Sequence, residues 1–288
     1  MMNFFTVLAF IKWDINPDIF LIPIVNHPVR WYGLCWAAGL LLSQQIMTFI
    51  YKKEGRPDKE VETMSLYIIA GTIIGARLGH ILFYEPMQYL HNPLKILAIW
   101  EGGLASHGGT IGILIAAYLF ARKTNVHYLW ILDRLTIVAA LTSCFIRVGN
   151  LMNSEMAGLP TNLPWGFIFT SIDDTPRHPA QLYEAIYYFL IFLLSFTVWK
   201  RFGDRIKNGF LLGWFLIILF SLRFVNEFFK INQVEFEDNL ILNMGQILSI
   251  PFVLAGIAIL IFSTRKKRQN SNDNTITEKV EQVISTVS

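Results

Sequence analysis

The sequence predicts an all-α, polytopic membrane protein with about seven transmembrane helices and a small loop region on the outer face. Hydrophobic residues make up 53% of the 288-residue chain, and the mean hydropathy is +0.45. Several nearly uncharged runs approach the roughly 20 residues that a helix needs to cross about 30 Å of hydrocarbon. The basic residues also alternate between connections as they do in membrane topologies.

Seven apolar runs are the predicted spans when the chain is read with a window of about 19 residues. They cover residues 31–51, 61–84, 105–121, 135–153, 179–199, 209–229 and 244–262. The third run is short and rich in glycine. The second carries Gly71, Gly75 and Gly79 at four-residue spacing, which favours close packing against a neighbouring helix through small residues.

The distribution of lysine and arginine orients these spans. Alternate connections, with the tail, hold four, three, four and four basic residues, fifteen altogether, whereas the others hold only Lys95, Arg177 and Lys230. Short basic loops stay in the cytoplasm, so we expect the N-terminus outside and the C-terminus inside. Residues 1–262 are expected to form one transmembrane catalytic domain, and residues 263–288 a polar, loosely ordered cytoplasmic tail.

Composition also narrows the function classes. A net charge of +3 is too small to indicate a nucleic acid partner. The two cysteines, Cys35 and Cys144, both lie in apolar runs, so the sequence predicts neither a disulfide framework nor a metal site. The first residues lack a basic region and a cleavage pattern of small residues, which argues against a removed signal peptide.

Polar residues inside the predicted spans concentrate at the ends expected on the outer side. Arg147 and Asn150 share one helix face, and Arg223 and Glu227 share another. Such residues are by default a functional hypothesis, although snorkelling or pairing between helices is the alternative for any one of them. Guanidinium groups suit a phosphate. The pattern therefore predicts an arginine-rich, outward-facing cavity for an anionic lipid.

The segment "WEGGLASHGGTIG" places His107 between two glycine pairs, just before an apolar run. Glycine lets a ligand or another backbone come close, and a helix N-terminus favours an anion or a neutral imidazole. His107 is therefore a candidate general base or substrate-orienting group, with a structural role as the alternative.

Six segments in chain order carry a family resemblance. They are "RWYG" at 30–33, "GARLGHILFYEP" at 75–86, "WEGGLASHGG" at 100–109, "RVGNLMNSEMAG" at 147–158, "RHPAQLYEA" at 177–185 and "RFVNEFF" at 223–229. Together they resemble the bacterial prolipoprotein diacylglyceryl transferase family. The resemblance implies transfer of the sn-1,2-diacylglyceryl group from phosphatidylglycerol to the lipobox cysteine thiol of a prolipoprotein. A thioether forms and glycerol 1-phosphate leaves, as the first step of lipoprotein maturation.

The same resemblance implies the partners and the location. The partners are phosphatidylglycerol, prolipoprotein signal peptides with a lipobox cysteine, and membrane lipids, with no cofactor and no metal. The protein is expected in the bacterial cytoplasmic (inner) membrane, with the active site toward the outer, periplasmic side.

Residue roles are carried over motif by motif. The expected catalytic residues are His107 as candidate base, Arg147 for the headgroup, Arg223 for the leaving phosphate and Tyr32 for the lipid. The expected substrate-binding or positioning residues are Arg147, Asn150, Asn153, Glu155, Gly158, Arg77, His178, Glu184, Glu227, Gly108 and Gly109.

The sequence departs from the family pattern at four positions. Ile146 stands where the family has glycine, Leu151 where phenylalanine is common, His80 where an aromatic residue is common, and Leu219 where it has tyrosine. A transporter for an anionic substrate is the main alternative, although the chain has no visible inverted repeat. An intramembrane protease is a weaker one, because the sequence has no HExxH motif. A different phospholipid headgroup transferase is the third.

Overall fold

The computed structural model describes residues 10–23, 27–231 and 240–263. The predicted tail, 263–288, lies outside the described residues except for Ser263. The helices are α1 (Trp31–Lys53), α2 (Asp58–Phe83), α3 (Pro86–His91), α4 (Ser106–Thr124), α5 (Tyr128–Met152), α6 (Ala180–Phe202), α7 (Phe210–Asn226) and α8 (Met244–Ser263). A 3₁₀ turn, Glu227–Phe229, extends α7.

Six helices of the described chain are long and apolar enough to cross a membrane: α1, α2, α5, α6, α7 with its 3₁₀ extension, and α8. This confirms the all-α polytopic class. The third predicted span coincides with α4, a helix of 19 residues that is not among the six. Its apolar centre is short because Ser106 and His107 begin it and Arg122 and Lys123 lie in its last turn. The count of seven spans therefore stays a prediction.

Local sequence signals explain where the helices begin and end. Asp58 and Glu60 lie in the first turn of α2, directly after Pro57, where carboxylates interact favourably with the helix dipole. Helix α4 ends at Thr124, and the next residue, Asn125, caps it in a left-handed conformation with φ 52°. The basic residues Lys52 and Lys53 end α1.

The chain divides into two compact units. Unit 1 comprises Met1–Ser43 and Thr136–Ser288, and unit 2 comprises Gln44–Leu135. The division points fall inside α1 and α5. We describe each unit by itself, and the predicted single catalytic domain over residues 1–262 stays a prediction.

Short strands in unit 1 were not predicted from the sequence, because runs of two to five residues carry little periodicity. Strands β1 (Ile11–Trp13), β4 (Phe167–Phe169) and β5 (Pro176–Arg177) form one sheet, with β1 parallel and β5 antiparallel to β4. Strands β2 (Asp18–Ile22) and β3 (His27–Arg30) pair antiparallel.

The three-stranded sheet anchors the end of α5. The indole N–H of Trp13 donates to the Leu151 carbonyl over 3.0 Å, and Leu151 is buried with Phe167 and Phe169. Burying these rings removes a large apolar area from water. The sheet therefore fixes the end of α5, where the next loop begins.

Hydroxyl and aromatic side chains connect the helices within unit 1. The Ser43 and Thr142 hydroxyls lie 2.7 Å apart, between α1 and α5. Phe220 of α7 and Phe252 of α8 stack with ring centroids 4.3 Å apart.

In unit 2 the glycine series of α2 packs directly against α4. A Cβ atom on Gly71 would lie 2.6 Å from the Gly112 carbonyl oxygen, and one on Gly79 would lie 2.8 Å from the Cα of Gly108. Gly75 meets Gly108 just as closely. The two backbones touch, which confirms the predicted close packing through small residues.

One predicted boundary was wrong. Helix α5 begins at Tyr128, ahead of the predicted span start at 135, so Arg134 lies inside the helix and not in a connection. A charge is tolerated there because its guanidinium pairs with Glu54 at 2.9 Å and lies 4.4 Å from the ring centre of Trp130.

Candidate active site

A chain of alternating charges lies in unit 1, where α5 ends, α6 begins and α7 ends. The Arg147 guanidinium and the Glu184 carboxylate are 2.5 Å apart, and the other Glu184 oxygen is 2.6 Å from the Lys230 ammonium. Lys230 lies 3.4 Å from Glu227, which lies 3.9 Å from Arg223. We call these five residues the Glu184 cluster.

Exposure differs sharply along this cluster. The side chains of Glu184, Lys230 and Glu227 are only 2, 6 and 9% exposed. Arg147 is 16% exposed, whereas Arg223 is 38% exposed. Buried charges of this kind depend on their partners, because an uncompensated charge in a low-dielectric interior is costly. Arg223, with the longest pair distance and the greatest exposure, is the accessible end.

Amide groups connect Arg147 to the loop after α5. The Arg147 guanidinium donates to the Asn150 side-chain oxygen over 3.3 Å, as expected for residues three apart on a helix. The Asn150 amide donates to one Glu155 oxygen and the Asn153 amide to the other, each over 3.0 Å. The exposed Glu155 carboxylate is therefore held by two amides.

The turn that carries Glu155 is strained. Ser154 and Met156 both have positive φ, 55° and 59°, a region that residues other than glycine and asparagine seldom adopt. The Met156 sulfur lies 3.0 Å from a terminal nitrogen of Arg147. Strained backbone of this kind clusters at functional sites, so the turn is part of the candidate site.

Gly158 joins three segments of the site by backbone contacts. Its N–H donates to the His178 carbonyl over 2.8 Å, and the N–H of Leu159 donates to the Phe229 carbonyl over 2.8 Å. A Cβ on Gly158 would overlap the Phe229 carbonyl oxygen and lie 2.8 Å from the Cβ of His178. These are packing contacts. The backbone of Gly158 also pairs with that of Lys230 in an isolated antiparallel bridge.

His178 lies just before α6 within an aromatic group. Its Nδ1 is 3.1 Å from the Tyr183 hydroxyl, which also accepts a hydrogen bond from the Trp165 indole over 3.0 Å. The Phe229 ring centroid is 5.0 Å away. Burial lowers the pKa of His178, because desolvation penalises the charged imidazolium. The imidazole is therefore neutral near pH 7.

An ion pair in the same loop is half-buried, with the Arg177 side chain 15% and the Asp173 side chain 35% exposed. The guanidinium of Arg177 contacts the Asp173 carboxylate at 2.5 Å. Hydrogen bonds from Arg177 and from the backbone N–H of Thr175 lower the pKa of Asp173.

Tyr32 lies in the first turn of α1, also in unit 1. Its hydroxyl accepts a hydrogen bond from the Trp36 indole over 3.2 Å. A Cβ on Gly149 would lie 2.9 Å from the Tyr32 ring, so this ring packs on the segment of α5 that carries Arg147. The contact is made at Gly149, two residues after Arg147 in the chain, and lipid binding by Tyr32 stays a prediction.

Arg77, in unit 2, is buried and bonded to backbone carbonyls. Its Nε donates to Ile96 (3.0 Å), one terminal nitrogen to Gly102 (2.6 Å) and Gly103 (3.2 Å), and the other to Lys95 and Ala98 (3.2 Å). Its guanidinium carbon lies 5.0 Å from the ring centre of Tyr89. These contacts organise the loop between α3 and α4. Substrate binding by Arg77 stays a prediction.

His107 is the second residue of α4 in unit 2, and it is exposed. Among the residues that the structure describes, none forms a hydrogen bond or ion pair with its imidazole. The loop before it contains Gly102 and Gly103, whose φ values of 88° and 71° suit only glycine. Gly108 and Gly109 are buried, and Gly108 packs on α2.

Comparison with known proteins decides between the alternatives. The sequence profile of the prolipoprotein diacylglyceryl transferase family matches residues 19–262. Phosphatidylglycerol–prolipoprotein diacylglyceryl transferase of Tolumonas auensis is 49% identical over 253 residues, 88% of this chain and 98% of the relative. The proteins of that name from Chloroherpeton thalassium (46% over 263 residues, 91% and 97%) and Porphyromonas gingivalis (45% over 291 residues, 96% and 99%) are similar along nearly their whole lengths.

The chain belongs to the prolipoprotein diacylglyceryl transferase family. This confirms the resemblance and the prediction of a transferase, and it gives no support to a transporter. The roles of individual residues in the six motifs stay predictions. Within the described part of the chain, no group of three or more His, Cys, Asp or Glu side chains could hold a metal ion.

The predicted set missed Lys230 in this transferase. We counted Lys230 only as a basic residue of a loop, yet it is buried between two predicted site carboxylates. Asn226 was also missed; its amide donates to Glu184 over 3.2 Å. The available signal was spacing, since Lys230 follows Glu227 by three residues, with only aromatic residues between them.

Proposed function

We propose that this protein transfers the sn-1,2-diacylglyceryl group from phosphatidylglycerol to the lipobox cysteine of prolipoproteins. The names of the relatives support the two substrates. The observation that carries the proposal is the Glu184 cluster, which has three cations, two carboxylates and an exposed arginine at one end. A phosphodiester headgroup carries one negative charge, so it balances the cluster.

The reaction explains why arginines are needed. The acceptor sulfur forms a bond to a glycerol carbon of the lipid, and the bond from that carbon to a phosphate oxygen breaks. The electron pair leaves on glycerol 1-phosphate, and the thiol proton passes to a base. Negative charge grows on the departing phosphate, where preorganised donors lower the barrier most.

We assign a role to each predicted site residue of unit 1. Arg147, oriented by Glu184 and Asn150, binds the headgroup, and Arg223 stabilises the leaving phosphate. Glu227 holds Arg223 loosely. Asn153 and Glu155 fix the loop, as do Gly158 and His178, and Tyr32 donates a hydrogen bond to the lipid.

His107 acts on the acceptor thiol. A free thiol has a pKa of about 8.5 and must be deprotonated to become a strong nucleophile. An exposed imidazole with no partner among the described residues is available for that proton. This role rests on the family motif and on the exposure of the side chain.

We place the protein in the bacterial cytoplasmic membrane, with the N-terminus and the active site on the outer side. With Arg134 left out, fourteen basic residues in or beside alternate connections and in the tail, against three in the others, support this orientation. Green fluorescent protein fused after residue 288 should fluoresce, and alkaline phosphatase fused at the same point should be inactive. The reverse result would contradict the orientation.

Direct assay tests the activity. Purified protein is incubated with phosphatidylglycerol vesicles and a synthetic lipobox peptide, and glycerol 1-phosphate and peptide mass are followed. We expect equal amounts of released glycerol 1-phosphate and of peptide carrying a diacylglyceryl group. Phosphatidylethanolamine should not replace the donor.

A peptide with serine in place of cysteine is the matched acceptor control. It should accept no diacylglyceryl group, because its hydroxyl is far less acidic than a thiol. Transfer at a similar rate would contradict thiolate attack. Flux of phosphatidylglycerol without chemical change would instead point to a transporter.

A further inference from the structure

Lys230 occupies an unusual position for a lysine. Its side chain is 6% exposed, and its backbone pairs with Gly158 in an isolated antiparallel bridge. Burying an ammonium group costs free energy unless oppositely charged partners surround it. Two carboxylates do so here, Glu184 at 2.6 Å and Glu227 at 3.4 Å.

Those two carboxylates are also the partners of the two site arginines. Glu184 pairs with Arg147 through its other oxygen, and Glu227 reaches Arg223 at 3.9 Å. Lys230 therefore lies at the centre of the alternating series, with a guanidinium at each end. Its positive charge leaves the cluster with one more cation than carboxylate.

The nearby carboxylate of Glu155 does not change this count within the described residues. Its oxygens accept hydrogen bonds from the amides of Asn150 and Asn153, and it is exposed, so solvent and ions screen its charge. The buried carboxylates Glu184 and Glu227, by contrast, depend on the cluster's own cations.

We infer that Lys230 is a positioning residue that neutralises Glu184 and Glu227 and so leaves Arg147 and Arg223 available to an anionic phospholipid headgroup. This inference rests on the proposed function. Without the ammonium, two carboxylates face two guanidinium groups, and the cluster is neutral. Arg223 then closes its 3.9 Å gap to Glu227, and the phosphate of the lipid must compete with that carboxylate.

The consequence is a specific change in kinetics. Loss of the ammonium weakens the binding of the anionic donor, so the KM for phosphatidylglycerol rises. Binding of the peptide acceptor does not depend on the phosphate, so its KM stays the same. A merely structural role would lower the amount of folded protein and affect both substrates equally.

Four variants test the inference in the purified full-length protein. Lys230→Met removes the charge but keeps the length of the side chain, and we expect the KM for phosphatidylglycerol to rise about tenfold or more. Lys230→Arg keeps the charge and should stay within about threefold of the wild type. Lys230→Met combined with Glu227→Gln again has one more cation than carboxylate. Its rise in the KM for phosphatidylglycerol should be at most half of the rise in Lys230→Met alone.

Lys52→Met is the matched control. This lysine is exposed and pairs with Asp58, so its loss should leave both KM values unchanged. Should Lys230→Met fail to purify, Lys230→Gln replaces it, and the contrast with Lys230→Arg decides.

The outcomes separate the two proposals. A wild-type protein that releases no glycerol 1-phosphate overturns the proposed function. An active wild type with an unchanged KM for phosphatidylglycerol in Lys230→Met overturns the inference alone. Absence of recovery in the double variant overturns it as well, because charge balance would then not be the cause.

Discussion

Two clusters of charged residues, one in each compact unit, differ in how their arginines are satisfied. The cluster in unit 2, which we call the Trp130 cluster, consists of Glu54, Arg56, Glu60, Trp130 and Arg134. Arg134 pairs with Glu54 at 2.9 Å, and Arg56 pairs with Glu60 at 2.6 Å. Both guanidinium groups lie near the indole of Trp130, at 4.4 and 5.3 Å from its ring centre.

The Glu184 cluster of unit 1 is arranged differently. Its carboxylate Glu184 is buried between two cations, but its terminal Arg223 is 38% exposed and lies 3.9 Å from Glu227. In the Trp130 cluster each arginine has a close carboxylate and an aromatic ring. Asp133, 3.9 Å from Arg134, adds a further carboxylate there. Arg223 is therefore more exposed and more loosely paired than either arginine of the Trp130 cluster, and this difference is what favours a ligand at Arg223.

The largest expected effect follows from removing one arginine of the Glu184 cluster. Arg147→Ala should lower kcat/KM for phosphatidylglycerol by about 10³-fold, because the proposed preorganised donor to the headgroup phosphate is lost. Release of glycerol 1-phosphate measures it.

The matched control is Arg134→Met in the Trp130 cluster. It removes a guanidinium that is more deeply buried, with 4% exposure against 16%. We expect lower stability but a kcat/KM within about threefold of the wild type per folded molecule. Equal losses of activity in the two variants would show that arginine removal acts through folding, and the comparison would fail.

The second prediction concerns stability. Glu54→Gln leaves the buried Arg134 guanidinium with only the more distant Asp133 carboxylate, 3.9 Å away, and the free energy of unfolding should fall by about 3 kcal/mol. Detergent-induced unfolding in mixed micelles measures it. The matched variant Glu60→Gln breaks a more exposed pair four residues apart, with side chains 25 and 23% exposed, and should cost less than about 1 kcal/mol. Equal costs would mean that burial does not decide the contribution.

Much of this arrangement could be predicted from the sequence. Hydropathy located the helices because a bilayer requires long apolar runs, and the spacing of Gly71, Gly75 and Gly79 indicated the contact of α2 with α4. Helical spacing also paired Arg147 with Asn150 and Arg223 with Glu227, and the structure has both contacts.

Other features depend on partners that are distant in the sequence. Arg134 was assigned to a connection because charges usually lie outside spans, and only the pairing with Glu54, 80 residues away, permits its place in α5. The short strands rest on tertiary pairing of Ile11–Trp13 with Phe167–Phe169. Lys230 was missed because a buried lysine is recognisable only when its two carboxylates are known.

A smaller effect is expected at the exposed end of the Glu184 cluster. Arg223→Lys keeps the charge but loses the planar fork with which a guanidinium can contact two phosphate oxygens together. We expect kcat to fall about tenfold, with little change in stability, because the side chain is 38% exposed and its pair is long.

Arg56→Lys in the Trp130 cluster is the matched substitution. It should leave kcat unchanged while lowering stability slightly, since Arg56 lies over the Trp130 ring. Steady-state rates and unfolding curves of the two variants are measured side by side. An unchanged kcat in Arg223→Lys would contradict the proposal that Arg223 stabilises the leaving phosphate.

The smallest effect is expected at the half-buried pair of Asp173 and Arg177, which belongs to neither cluster. Hydrogen bonds from Arg177 and from the backbone of Thr175 lower the pKa of Asp173. The carboxylate therefore stabilises the loop above the ordinary aspartate pKa of about 3.9, and this contribution is lost as the pH falls through the lowered pKa. Asp173→Asn should remove that dependence.

Hydrogen exchange of the backbone between residues 159 and 178, corrected for intrinsic rates, measures the effect at pH 7 and pH 3. In the wild type, protection should fall at pH 3, whereas Asp173→Asn should exchange about equally fast at both. The neighbouring Asp174→Asn should behave like the wild type, because Asp174 has no hydrogen-bond partner among the described residues. A wild-type loop protected equally at both pH values would show that the pair does not hold it. Ion pairs would then contribute to stability in the two clusters but not at Asp173 and Arg177.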